Sequence, residues 1–377
     1  MSVKLESQER AIPLFKVFMA ESAQAAVTRV LYSGYLGEGE EVASFERELA
    51  ARLSVDRLVA TNSGTSALHL ACHIAVDGAA DAEFITTPMT CAATNASIVR
   101  NGARIVWADI DSLSGNIDPD EIEPLITQKT RAIVMVHWGG NPCDIGRIRD
   151  LGQAHGIPVI EDAAQALGAT YQGQPIGAHS DLVAFSFQAI KQVTSIDGGA
   201  LVCKAPHNDA RARLLRWYGI DREASAPQDL RCELDIEEVG YKFHMNNVSA
   251  AVGRENLKHL DWMLMRHRDN ARFYDAAFGG STTISVAPQH PDGVSACWLY
   301  TIHVANRDEL MGTLRDEGIG ASKVHTRNDT YSAFADYRRP LPKCEEFQAT
   351  HLCIPVGWWV SDADRERVAE CVIKFAR

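Results

Sequence analysis

The sequence predicts an α/β fold: a mostly parallel seven-stranded sheet flanked by helices, followed by a smaller C-terminal α+β domain. Two observations carry this. Runs that are apolar on both faces alternate with helix-patterned stretches through the first part of the chain, as they do where a parallel sheet is covered on two sides. After about Lys258 that alternation stops, and longer helices dominate. The 377 residues, 46% of them hydrophobic, suffice for two domains, and the pattern divides them at 1–257 and 258–377.

Each element follows from its local pattern. Between Ser22 and Leu31, Ala and Val recur at helical spacing, and the glycines of "YSGYLGEG" end the helix. In "EEVASFERELAARL", Val42, Phe45, Leu49 and Leu53 share one helical face. "RLVATN", "EFITTP", "RIVWADI", "TRAIVMVHW" and "IPVIEDAA" read as strands. "SALHLACHIAV", "CAATNASIVRNG", "DPDEIEPLI" and "IGRIRDLGQAHG" read as the helices between them. "DLVAFSF" and "GALVCK" follow with no helix between them, so one strand joins the sheet differently. The stretch 222–238 is polar and poorly patterned and reads as a mobile loop. "HLDWMLMRHRDNARFYDAAF" is a long helix able to link two domains. "WLYTIHVA" reads as a strand, and "RDELMGTLRDEG" and "RERVAECVIKFA" read as helices.

Composition excludes several classes. A formal net charge of -12 speaks against a nucleic-acid-coating surface, and an anionic small substrate would need a locally basic site. The nine cysteines are scattered, with no CxxC pair, so neither a zinc site nor a disulfide framework is expected. Reduced thiols in a cytoplasmic protein are the expectation. "MSVKLESQERAIPLF" lacks the apolar core of a signal peptide, and no run is long enough to span a membrane.

Three features point to chemistry. "NSGTSALHLA" sets small residues and hydroxyls between a strand and a helix start, where free amides and the helix dipole suit a phosphate. "VIEDAAQALGA" puts Asp162 at the C-terminal end of a strand, the edge where ligands gather in such sheets. In "AFSFQAIKQVTSIDGG", Lys191 follows an apolar strand and precedes Gly198 and Gly199, where the backbone can pack closely. A partly desolvated lysine loses its proton readily, and the neutral amine can form a Schiff base. Each feature also has a structural use: serines and Asp162 cap turns, and a lone lysine is most often solvated. Together they match the phosphate, the ring nitrogen and the aldehyde of pyridoxal 5'-phosphate.

Six stretches occur in order: "SGYLGEGEEVASFERELA", "NSGTSALHLA", "VHWGGNPCD", "VIEDAAQALGA", "FSFQAIKQVTSIDGGAL" and "GYKFHMNNVSAAVG". In order and spacing they resemble the DegT/DnrJ/StrS family of sugar aminotransferases, within the fold-type I pyridoxal phosphate enzymes. The resemblance spans nearly the whole chain. It implies that Lys191 bonds the coenzyme and moves the proton, that Asp162 keeps the ring nitrogen charged, and that Gln165 bonds the ring hydroxyl. It assigns Gly64, Thr65, Ser66 and Ser186 to the phosphate. It also implies a homodimer in which each site is built from two chains. The expected reaction moves an amino group from an amino acid, glutamate first among the candidates, to a keto sugar, nucleotide-linked in the leading reading.

Departures from the family pattern matter. Cys91 stands in "TPMTCAATN" where an aromatic residue often stacks on the coenzyme ring. Lys242 stands where an asparagine of the neighbouring chain usually meets the phosphate; Asn246 or Asn247 is the alternative for that contact. For an anionic, ring-shaped substrate the chain offers Arg216, Lys323, His325, Arg327 and the pair Trp358–Trp359, all of which also have packing or solvated readings. Two other functions stay open. A related sugar dehydratase would carry a histidine in place of Lys191, and a coenzyme-binding regulator would need no proton shuttle.

Overall fold

The computed structural model describes residues 11–221 and 235–377. Most of the stretch expected as a mobile loop, 222–234, lies outside the described residues. Its last residue, Glu238, is anchored by Arg211, whose Nε and Nη2 donate to its carboxylate at 2.8 and 2.7 Å.

The strands are β1 (Leu58–Thr61), β2 (Glu83–Thr86), β3 (Arg104–Trp107), β4 (Thr130–Val136), β5 (Val159–Asp162), β6 (Thr170–Tyr171), β7 (Gln174–Pro175), β8 (Leu182–Ser186), β9 (Gly199–Cys203), β10 (Ser285–Val286), β11 (Gly293–Val294), β12 (Tyr300–His303) and β13 (His351–Ile354). Seven of them form one sheet in the order β1-β9-β8-β5-β4-β2-β3. All neighbours are parallel except β9, which runs antiparallel to both β8 and β1. This is the strand that the helix-free pair marked. β12 pairs antiparallel with β10 and β13 in a separate C-terminal sheet.

Helices cover the sheet as the apolar spacing required. Glu40–Leu53 buries Val42, Phe45, Leu49 and Leu53. The long helix Leu260–Phe278 buries Leu260, Met263, Leu264, Ala271, Tyr274 and Phe278 along its length. One expectation fails: "DPDEIEPLI" forms two short 3-10 turns, Pro119–Glu121 and Glu123–Leu125, rather than an α-helix. Pro124 lacks the N–H that a continuing helix would need. The sequence pattern also left out the helices Pro206–Leu215 and Pro342–Thr350, both of which open on proline.

Gly199 shows why the chain needs glycine at the start of β9. A Cβ there would lie 2.4 Å from the Ser63 carbonyl carbon and 2.5 Å from the Gly64 nitrogen. Only a residue without a side chain lets the start of the helix Gly64–Val76 rest against the strand.

Candidate active site

The C-terminal ends of β1, β5 and β8 bring the predicted residues to one edge of the sheet. β5 ends on Asp162, which is buried. Its Oδ2 accepts the Thr94 hydroxyl at 2.6 Å and its Oδ1 accepts the Ala164 amide at 3.1 Å. Thr94 lies in the first turn of the helix Ala92–Arg100, and its hydroxyl oxygen is 2.8 Å from that of Thr90. Cys91 caps the same helix, with its thiol exposed.

β1 leads into the phosphate candidates. Ser63 caps the helix Gly64–Val76 by accepting the Ser66 amide at 3.0 Å. The N–H groups of Gly64 and Thr65 have no partner within the helix, as in any first turn. Thr65 is exposed, whereas the Ser66 hydroxyl is turned away and donates to Asn62 at 2.6 Å. A Cβ on Gly64 would lie 2.6 Å from that of Ser186, so the helix start and the end of β8 form one close cradle.

Lys191 sits in the connection between β8 and β9, which Phe187 ties at both ends. The Phe187 amide donates to Gly198, and its carbonyl accepts the Ser195 amide. The Lys191 side chain is half-buried, and its Nζ lies 3.9 Å from the centre of the Trp298 ring. Burial lowers its pKa to about 8, against the opposing pull of Asp162 and Cys91. Gln165, on the turn after β5, accepts the Gly139 amide at 2.7 Å, and its Nε2 is 3.4 Å from His325 Nε2. Since the amide nitrogen can only donate, His325 presents a lone pair. Burial, with Lys191 nearby, lowers His325 to about 4 and keeps it neutral. A three-residue turn aims it: Val324 has φ +61, and the His325 amide donates to the Lys323 carbonyl at 2.6 Å.

Other candidates lie outside this group. Arg216 is buried, donating to Glu46 at 2.7 Å and also to Glu38. Arg327 is buried in a two-pronged pair with Asp329 at 2.8 and 2.7 Å. Asn247 donates to the Tyr35 carbonyl at 3.1 Å and accepts the Val42 amide at 3.3 Å. Trp358 packs against Phe18 and Trp262, and Trp359 donates to the Pro13 carbonyl. Lys323 is half-buried and makes no ion pair among the described residues. Lys242 is exposed, with Nζ 3.6 Å from the Trp217 ring and 3.4 Å from His244 Nε2. Asn246 caps the helix Asn247–Leu257 by accepting the Ser249 amide.

Sequence reasoning missed Thr94 and Trp298. A threonine one turn inside a helix after a sheet edge is a weak sign, and nothing in "CWLY" marks its tryptophan.

The sequence profile of the DegT/DnrJ/EryC1/StrS aminotransferase family matches residues 18–373. The chain belongs to this family. It is 35% identical to the spore coat polysaccharide biosynthesis protein SpsC of Bacillus subtilis, over 92% of each chain. It is 34% identical to the dTDP-3-amino-3,4,6-trideoxy-alpha-D-glucose transaminase of Streptomyces venezuelae, over 93% of this chain and 91% of the other. The crystal structure of sugar aminotransferase CalS13 from Micromonospora echinospora superposes with a TM-score of 0.93 at 39% identity, covering 97% of this chain and all of that one. The protein is thus a pyridoxal phosphate-dependent sugar aminotransferase of fold-type I. The aminotransferase's own residues fit the coenzyme. A buried carboxylate with two donors, a desolvated lysine and an amide-bearing glycine cradle share one sheet edge.

Proposed function

We infer that this aminotransferase carries an amino group from glutamate to the keto group of a nucleotide-linked sugar, and that Lys191 is its reacting residue. One observation carries the assignment: the Lys191 amine is desolvated beside Asp162, Cys91 and His325, with its pKa lowered to about 8. When bound, pyridoxal phosphate supplies the carbon that receives the amino group and a ring that withdraws electrons. Lys191 Nζ takes and returns the proton at the reacting carbon, a task suited to a base that titrates near working pH. Asp162, fixed by Thr94 and Ala164, keeps a proton on the ring nitrogen. With the coenzyme bound, Gln165 would offer its amide nitrogen to the ring hydroxyl, and Gly64, Thr65 and Ser186 would hold the phosphate.

The charged part of the sugar substrate is assigned to Lys323, Arg338 and Arg339 rather than to Arg216 or Arg327, whose charges are met by carboxylates. A cavity of about 620 Å³ is lined by Arg338 and Arg339, together with Arg327 and the carboxylates it pairs with, Asp329 and Glu345. Arg338 donates to the Asp329 and Thr330 carbonyls, and Arg339 to the Trp107 carbonyl at the end of β3. Neither forms an ion pair among the described residues, so both charges are available to an anion.

The working unit in this reading is a cytoplasmic homodimer. Tyr32, Tyr35, Leu36 and Val239 expose large apolar surface around the segment that holds Lys242 and Asn247. Association covers surface of this kind. No helix among the described residues is long and apolar enough to cross a membrane.

Borohydride reduction of the coenzyme-loaded enzyme, followed by peptide mass spectrometry, tests the core assignment. The coenzyme should be found fixed on Lys191. Fixation at another lysine would refute it. Candidate amino sugars added to the loaded enzyme then identify the substrate by loss of the visible coenzyme band.

A further inference from the structure

The Trp298 indole makes contact with the Lys191 region at two points. Its Nε1 donates to the Ile190 carbonyl at 3.0 Å, and its ring face lies 3.9 Å from Lys191 Nζ. Phe15 stacks on the same indole at 5.0 Å, and Trp298 is only 4% exposed. The loop that carries it is tied to the coenzyme edge. The Ala296 and Leu299 amides donate to the Gly140 and Gly139 carbonyls, and the Gly139 amide in turn donates to Gln165. The indole is therefore fixed by backbone on one side and by packing on the other.

A lysine that alternates between a bond to the coenzyme and proton transfer needs a defined place when it is released. A flexible four-carbon stem offers many. Asp162 exerts an attractive field on it, and an ammonium drawn into a pair there would compete with the ring nitrogen. An aromatic face attracts the ammonium without giving it a hydrogen-bond partner to hold its proton.

We propose that Trp298 is a positioning residue whose indole face receives the Lys191 amine whenever it is not bonded to the coenzyme, keeping it in reach of the reacting carbon and away from Asp162. This rests on the reading of Lys191 as the reacting lysine. Burial is the larger influence and opposes the charged form of the amine, which Asp162 and Cys91 favour. The ring face joins Asp162 and Cys91, so weakening that face without losing its bulk shifts the balance toward the neutral amine.

The test uses the full-length protein loaded with pyridoxamine phosphate, in which the Lys191 amine is unbonded. Acetic anhydride is applied in trace amounts across a pH series. Acetylation at Lys191 is read by mass spectrometry against exposed Lys204. The wild-type midpoint is the reference for the variants. Trp298→Phe, which keeps aromatic bulk over the amine but offers a weaker face, should lower it by about half a pH unit, whereas Trp298→Leu also admits water, which opposes the fall. An unchanged or raised midpoint in Trp298→Phe overturns the role of Trp298. Borohydride labelling of the same proteins reports separately on the reacting lysine: label elsewhere would refute Lys191 and the proposal with it, whereas label on Lys191 with an unchanged midpoint refutes the role of Trp298 alone.

Discussion

The Thr94 hydroxyl donates to Asp162 Oδ2 at 2.6 Å, joining the helix after β2 to the end of β5. With the Ala164 amide on Oδ1, it fixes the plane of a buried carboxylate. A hydrogen bond to a charged group contributes about 1.5–3 kcal/mol, and its loss leaves the carboxylate free to rotate. Thr94→Val should therefore lower kcat by roughly 10-fold or more and weaken coenzyme retention, while Thr94→Ser keeps both. Equal rates in wild type and Thr94→Val would make this contact a packing detail.

Asp162 itself should matter far more. Asp162→Asn keeps the shape and one acceptor oxygen but removes the charge that stabilises a protonated ring nitrogen. The rate should fall by about 100-fold or more, with a folded protein that still binds coenzyme. Stopped-flow measurement of each half of the transfer checks this. Near-normal rates would return Asp162 to the role of a turn cap.

How far the site was legible follows from how local its causes are. Asp162, Lys191 and the start of the helix Gly64–Val76 were readable because each stands where a strand pattern ends. β9 was readable because no helix separates it from β8. Arg216 and Arg327 look like anion binders in sequence, yet the partners of Arg216, Glu46 and Glu38, lie far off in the chain, and Arg327 turns back on Asp329, two residues on. Asn247 was similarly engaged by Tyr35 and Val42, about two hundred residues away. Trp298 reaches Lys191 across more than a hundred residues, and no periodicity encodes such a meeting.

Arg338 and Arg339 provide a test of where the sugar's charge is bound. Alanine at both positions should raise KM for the sugar about 10-fold or more, because each charge-assisted contact is strong. The amino-acid half of the reaction should be unaffected, as should the coenzyme spectrum. An unchanged sugar KM would move the anion site elsewhere.

Lys242 tests the proposed dimer. In the single chain its ammonium lies on the Trp217 ring face, 3.6 Å from the centre. If it meets a neighbouring chain's coenzyme phosphate on association, Lys242→Ala should make coenzyme retention fall faster on dilution than in the wild type, because a ligand touching two chains links binding to assembly. Dialysis at two protein concentrations, with the bound coenzyme measured by absorbance, checks this. Wild-type retention at both would remove Lys242 from the site.

The lowered pKa of Lys191 also predicts how stability depends on pH. Its ordinary value is 10.5, and burial brings it to about 8 in the folded protein. Below about 8 the amine is charged in both states, and the folded state bears the full cost of holding that charge away from water. Between about 8 and 10.5 the folded amine is neutral while the unfolded one still binds a proton. In that window, unfolding takes up a proton, so the contribution to stability rises with pH. Lys191→Met removes the charge and keeps an apolar stem of similar length. Given the side chain's partial exposure, the coenzyme-free variant should be about 2 kcal/mol more stable than wild type at pH 7. That advantage should shrink to about 1 kcal/mol or less near pH 9.5. Urea unfolding of both proteins at the two pH values measures it. A gain that stays constant with pH would mean that methionine merely packs better and that the lysine bears no desolvation cost.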